Sequence, residues 1–273
     1  LGGWWFQNNN NSEFLYYEYL PFEKRHADNS HPLREMGALW SLAKLANFLN
    51  DSGHKRLAEK GFSHFERFFV YDKENDLYYV NITEDVKLGY SAFVILSLLE
   101  IEHPKKGFYL NKFARGVIHQ QQSDGSLSPF FFSNQSSGIN YYPGEALLAL
   151  MSLYEHDRNK EYLDAVERAF PYYLEYWKNN PNEAFVPWQT QAYYKMYEIK
   201  PDAKIAYFIF GMNDFIIKKH SLGLGCSWIH FYRGAVAAVY IEGMNTAYQL
   251  AKSTGDLKRA ECYKNFIKKG SEH

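Results

Sequence analysis

Apolar residues recur along the chain in two alternating patterns. Segments 87–101 (KLGYSAFVILSLLEI) and 143–153 (PGEALLALMSL) are apolar nearly all round, as a helix buried on most sides must be. Segment 160–178 (KEYLDAVERAFPYYLEYWK) instead places Leu163, Val166, Phe170, Tyr173, Leu174 and Trp177 at three- and four-residue steps with charges between. That is a helix packed on one side and wet on the other. The alternation predicts helix pairs. First members fall at roughly 33–50, 87–101, 143–156, 187–199 and 234–253; second members at roughly 54–70, 105–122, 160–178, 202–220 and 256–269. The first members start about 45–55 residues apart, one helix pair plus its loops. Buried helices alternating with one-faced helices are what an inner and an outer ring require. The expected fold is therefore all-α, an (α/α) toroid of helical hairpins in one domain over residues 1–273.

Turn chemistry agrees with this reading. Asp51-Ser52-Gly53 and Thr254-Gly255-Asp256 read as glycine helix stops. Pro32, Pro143 and Pro187 stand where inner helices open and a missing N–H costs least, and Pro201 opens an outer one. Pro171 falls inside an outer helix and should kink it. Five pairs are visible where such a ring often has six. A sixth pair beyond His273, or residues 1–20 in extended form, would complete the ring. Leu1 in place of Met is expected to mark a trimmed start.

A hairpin ring sorts its loops onto two ends. Inner-to-outer turns are short, such as Glu102-His103-Pro104 and Lys200-Pro201. Loops leading into inner helices are long: EYLPFEKRHADNSHPLRE, NDLYYVNITEDVKLG, QSDGSLSPFFFSNQSSGINYYPGE, NPNEAFVPWQ and GLGCSWIHFYRGA. Long loops in a compact domain usually carry function. These meet at one mouth, where inner-helix N-termini offer spare N–H groups and positive partial charge.

Composition narrows the ligand. Lys and Arg number 30 against 31 Asp and Glu, with no block of one sign, which argues against nucleic acid. No run of about 18 apolar residues exists, so no transmembrane segment is expected and the protein should be soluble. The two cysteines, Cys226 and Cys262, fit neither a metal pattern nor a disulfide framework, and no cofactor is expected. Aromatic residues make up 18% of the chain, Tyr alone numbering 23, and amphipathic rings suit a carbohydrate or another small polar ligand.

The mouth loops supply the candidate residues. Glu145 and Asp28 are the first choice for an acid/base carboxyl pair, with Glu35 and Asp124 as substitutes. Arg34, Lys87 and Arg233 would bind an anionic group; Trp188, Trp228, Tyr141 and Tyr142 would form stacking walls; Gln189 would bind hydroxyls. His230 and Lys87 are the candidate bases for an epimerisation. Each has a plainer assignment. Glu145 and Glu35 both lie in first helical turns, where acids complement the dipole. Arg34 could simply pair with Asp28 or Glu35. Asp124 sits in Ser123-Asp124-Gly125, an ordinary turn. His26-x-Asp28-x-x-His31 could hold a metal, but no third strong ligand is spaced to match. Asp51 and Asp256 lie at the opposite end and read as caps.

Several motifs carry a resemblance: Asn29-x-x-x-Leu33-Arg34-x-x-Gly37, Lys87-Leu88-Gly89, Gln121-x-x-Asp124-Gly125-Ser126, Tyr141-Tyr142-Pro143-Gly144-Glu145-Ala146 and Glu242-Gly243. Together, over about residues 14–260, they resemble the six-hairpin (α/α) toroid superfamily, and within it a set of uncharacterised bacterial toroid proteins. That superfamily includes glycoside hydrolases, sugar epimerases of the acylglucosamine type, polysaccharide lyases and terpenoid cyclases. The resemblance implies the fold and leaves the reaction open, since unrelated chemistries share it. Gln-x-x-Asp-Gly-Ser is similar to a repeated cyclase motif but occurs once, and no Asp-x-Asp-Asp acid is present. The leading expectation is a carbohydrate-active enzyme, glycosidase or epimerase-like, acting on a glycan or uronic-acid-type sugar. A non-catalytic glycan- or peptide-binding scaffold and a terpenoid-type cyclase are the rivals.

Overall fold

The structure is a computed structural model that describes residues 19–27, 31–221, 226 and 234–272. Five helical hairpins follow one another: α1 (Pro32–Leu49) with α2 (Ser52–Glu66), α3 (Leu88–Glu100) with α4 (Lys106–His119), α5 (Tyr142–Asp157) with α6 (Lys160–Asn179), α7 (Val186–Ile199) with α8 (Ala203–His220), and α9 (Gly234–Ser253) with α10 (Leu257–Ser271). Each first member packs on its own partner and on the first members before and after it, in the order α1–α3–α5–α7–α9. Among the described residues no comparable contact joins α9 back to α1. The fold is the expected α/α toroid, drawn as an arc of five hairpins.

Burial follows the sequence pattern. Every residue of α3 from Leu88 to Leu98 is buried, and so is every residue of α5 from Pro143 to Met151. Helix α6 buries only Tyr162, Leu163, Ala165, Val166, Ala169 and Tyr173. Helices α3 and α5 touch inner helices on both flanks and a partner behind, so these stretches leave no exposed face.

The caps sharpen the expected boundaries. Asp51 and Asp256 cap α2 and α10, accepting from the backbone N–H of His54 at 2.8 Å and of Arg259 at 3.0 Å. Gly53 is not a helix stop: it lies inside α2, and the left-handed residue that ends α1 is Asn50 (φ 48). Gly255 (φ +75) does make the turn before α10. Helix α6 runs on through Pro171. The segment expected as helix to residue 70 stops at Glu66. It continues as an antiparallel hairpin of β3 (Phe69–Asp72) and β4 (Leu77–Val80), Phe69 facing Val80 and Asp72 facing Leu77. Its β-branched and aromatic residues favour strand, and the polar Lys73–Asp76 turn closes it. Asp76 accepts from Tyr71 Oη and Lys112 Nζ, both at 2.6 Å, and contacts Arg115, fastening the hairpin to α4. A smaller hairpin of β1 (Tyr19–Leu20) and β2 (Arg25–His26) precedes α1.

The two cysteines are joined. Cys226, ahead of α9, forms a disulfide with Cys262 of α10, 36 residues on, with a Cα–Cα distance of 5.2 Å. Sequence spacing could not show this, because the turn of the last hairpin brings the two positions together.

Inner helices approach closely at glycines near the mouth. A Cβ on Gly89 of α3 would overlap Glu145 Oε2 of α5 and lie 3.0 Å from Leu33 Cδ1 of α1. One on Gly144 would lie 2.7 Å from Trp188 Cβ of α7. Neither space exists for a methyl group. Gly211 of α8, by contrast, has nothing within 4 Å of such an atom. Gly89→Ala should therefore destabilise the fold by about 1–3 kcal/mol through overpacking. Gly211→Ala should stabilise it by about 0.5–1 kcal/mol through helix propensity. Denaturant titration of the two variants checks both signs.

Candidate functional site

Helices α1, α3, α5 and α7 begin at one end of the arc, and their first turns carry several of the candidate residues. Glu145 lies one turn into α5 and is only 3% exposed. Its Oε2 accepts no hydrogen bond and rests in the notch at Gly89, beside Leu33 and Tyr142. Burial pushes its carboxyl up to about 8, so the acid holds its proton at neutral pH. Gln189 of α7 is 1% exposed, and neither its amide oxygen nor its nitrogen has a partner. Its Nε2 lies 3.3 Å from where a Gly144 Cβ would stand, in the residue next to Glu145. An unsatisfied buried polar group costs about 1–3 kcal/mol. Two such groups at adjoining helix openings mark the inner end of the mouth.

The other sequence candidates take distinct places. Glu35 is buried and Oε1 accepts from the backbone N–H of His31 at 3.0 Å, while His31 Nδ1 accepts from that of Arg34 at 3.4 Å. That is a reciprocal cap on α1. Lys87 is the N-cap of α3, with its ammonium 5.7 Å from the Tyr90 ring. The His31 imidazole is held below its usual range by burial first and by Arg34 and Lys87 next, so three basic groups share the α1 and α3 openings. Tyr141 is 47% exposed, and its ring lies 6.4 Å from that of Tyr142. Tyr142 is half-buried, and burial, followed by Glu145, pushes its hydroxyl up to about 12. Trp188 packs inward. Its ring lies 5.7 Å from Phe93 and 6.5 Å from Trp40, forming an aromatic layer across three inner helices.

Asp124 closes its own turn, accepting from Ser126 N at 2.9 Å and from Ser126 Oγ at 2.7 Å. The rest of its motif brackets the long loop to α6: Gln121 Nε2 donates to Ala165 O at 2.8 Å and Arg168 Nη2 donates to Gln121 Oε1 at 2.6 Å. Asp28, Trp228, His230 and Arg233 lie outside the described residues.

One cluster has no counterpart among the sequence candidates. Glu183, in the loop into α7, meets His220 and Lys219 from the end of α8, with Tyr240 of α9 beside it. In sequence Lys218-Lys219-His220 reads only as the basic last turn of a helix, and the contact spans 37 residues. Among the described residues no group of three or more His, Cys, Asp or Glu could hold a metal ion. Among the described residues no helix is long and apolar enough to cross a membrane.

No family model matches the chain, and no curated protein does. Solved structures do resemble it. A cellobiose 2-epimerase from Bacillus thermoamylovorans superposes with a TM-score of 0.69 at 14% identity, over 98% of this chain and 84% of that one. A GH76 α-mannanase from Bacteroides thetaiotaomicron gives 0.64 at 13%, over 88% and 75%. A D-mannose isomerase gives 0.61 at 15%, over 86% and 74%. The chain thus has the fold of the α/α-toroid class, in which these sugar-processing enzymes are its structural neighbours.

Glu145 makes a prediction about pH. Its folded-state value of about 8 exceeds the ordinary 4.5, so the folded protein keeps a proton that the unfolded chain releases. Stability from this group is therefore complete below about pH 4.5 and lost as pH rises to about 8. Glu145→Gln, which mimics the protonated acid, should match the parent near pH 4.5 and exceed it at pH 9 by up to about 5 kcal/mol. Thermal unfolding of both proteins across that range reads the gap.

Proposed function

We propose that the chain is a carbohydrate-active enzyme that works by acid/base chemistry on a sugar held at the mouth of the toroid. The observation that carries this reading is Glu145: a buried carboxyl with no donor on Oε2, protonated at neutral pH, at the mouth end of an inner helix. Such a group can protonate a leaving glycosidic oxygen, or donate to an oxygen that gains charge when a proton leaves the neighbouring carbon. Gln189 supplies an amide donor and acceptor nearby, suited to hydroxyls. Tyr141 offers an exposed ring for a sugar face. The basic openings of α1 and α3, with His31, Arg34 and Lys87, suit a sugar bearing an anionic group, such as a uronic acid. The structural neighbours all act on sugars, which fits the same class.

A cyclase would need a dry, aromatic interior. Here a cavity of about 330 Å³ toward the far ends of the inner helices is lined by Lys44, Glu100, Glu155 and Lys195 as well as Trp40.

The test is a turnover screen of glycosides, uronosides and free aldoses with the parent protein and Glu145→Gln. The variant should lose on the order of 100-fold or more in kcat while its affinity for the same sugar changes little. Sugar binding without turnover by the parent would make the protein a scaffold instead.

A further inference from the structure

We propose that the end of the ring opposite the mouth holds a second binding site, for a small hydroxylated carboxylate of monosaccharide size. The site is the cavity of about 330 Å³ between the C-terminal halves of α1, α3, α5 and α7. That volume lies at the lower end of the range for small-molecule pockets, about 300–1,000 Å³. The site stands apart from the acid/base reading of the mouth. Ser152 and Glu155 line it, roughly two and three turns beyond Glu145 along α5, or about 10–15 Å. Neither Glu145 nor Gln189 is among its lining residues. Trp40 is, and it packs into the aromatic layer with Phe93 and Trp188. Trp40 precedes Lys44 by one turn of α1, so that layer walls the cavity on the side toward the mouth.

The lining divides by chemistry. Leu96, Leu99 and Leu148 give an apolar wall. The Ser152 hydroxyl and the Gln191 amide give hydrogen-bonding groups, and Gln191 Nε2 donates to Pro187 O at 3.3 Å, which leaves its amide oxygen to accept.

Charge decides the class of ligand. Glu155 pairs with Lys195, and Glu100 Oε2 accepts from Asn47 Nδ2 at 3.0 Å. Lys44 is different. Its ammonium lies 4.8 Å from the centroid of the Trp40 ring, and among the described residues it makes no ion pair. Glu242 of α9 feels the Lys44 charge without forming an ion pair with it, and burial raises its carboxyl, which makes it a poor counter-ion. The C-terminal carbonyls of α3 would repel an anion, but Lys106 Nζ donates to them, at 3.3 Å to Leu99 O and 3.0 Å to Ile101 O. One cation is therefore left to be neutralised, in a wall that otherwise offers a hydroxyl and an amide. A single carboxylate on a hydroxylated ring or chain meets both requirements. A dianion such as a phosphate ester would add a charge facing Glu100 and Glu155 without a second free cation to match it.

The experiment is calorimetric titration of the full chain with D-glucuronate. The mouth has basic groups of its own, so it is run in an Arg34→Gln/Lys87→Gln background, which removes two of them without touching the far cavity. Glucuronate should still bind this background. Lys44 is solvent-exposed, and Lys44→Met keeps the stem along Trp40 while removing the charge. Added to the background, it should weaken glucuronate by about tenfold, the worth of a charge-assisted hydrogen bond. Unfolding temperatures of the variants check that the fold is kept. A background that binds no glucuronate at millimolar concentrations, or a loss smaller than about fivefold on Lys44→Met, overturns the proposal. Neither result depends on turnover, so the site can fail while the mouth remains an active site, and the reverse.

Discussion

The carboxyl of Glu145 lies against the backbone of Gly89, and the mouth is arranged around that contact. Helices with ordinary side chains at their crossing pack 8–10 Å apart. A glycine at the crossing opens a notch into which a neighbour's side chain can reach. Gly89 admits the Glu145 carboxyl, and Gly144 admits the Cβ of Trp188. The first contact strips water from an acid and provides no donor for Oε2 in exchange. The proton therefore stays on. The helix N-terminus, which would ordinarily favour the anion, does not outweigh desolvation here, because burial raises the carboxyl's pKa so far.

Long loops around a site are a weakness unless something holds them. Here three of the described loops are each tied to an outer helix by a specific bond. Asp76 ties the β-hairpin to Lys112 and Arg115 of α4. Gln121 ties the following loop to α6 through Ala165 and Arg168. Glu183 ties the next to Lys219 and His220 of α8, and a disulfide joins Cys226 to Cys262 of α10. The outer helices thus do more than cover the inner ring. They hold the loops from behind, as a preorganised site requires.

Some of the site was legible in the residues and some was not. Tyr-Tyr-Pro-Gly-Glu-Ala could be read as a helix opening with an acid in its first turn. Whether that acid faced water or lay buried depends on what stands opposite, and that is a glycine 56 positions earlier. Gln-x-x-Asp-Gly-Ser stood out as a motif, yet its glutamine and aspartate bond to the backbone and to one another's loop. Nothing in the sequence distinguishes Glu183 among five long loops, because its donors come from the end of a helix whose basic last turn has a sufficient local explanation.

What the sequence by itself determined is the class of architecture. Hydrophobic periodicity and turn residues are local, and burial on all sides or on one side shows directly in which positions are apolar. The five hairpins, their order and their two unlike ends follow from that. Tertiary structure decided which carboxyl is protonated, which is held ionised, and which aromatic ring turns inward. Those properties arise from desolvation and from donors supplied across 37 residues or more, and such proximity leaves no periodic trace in a chain.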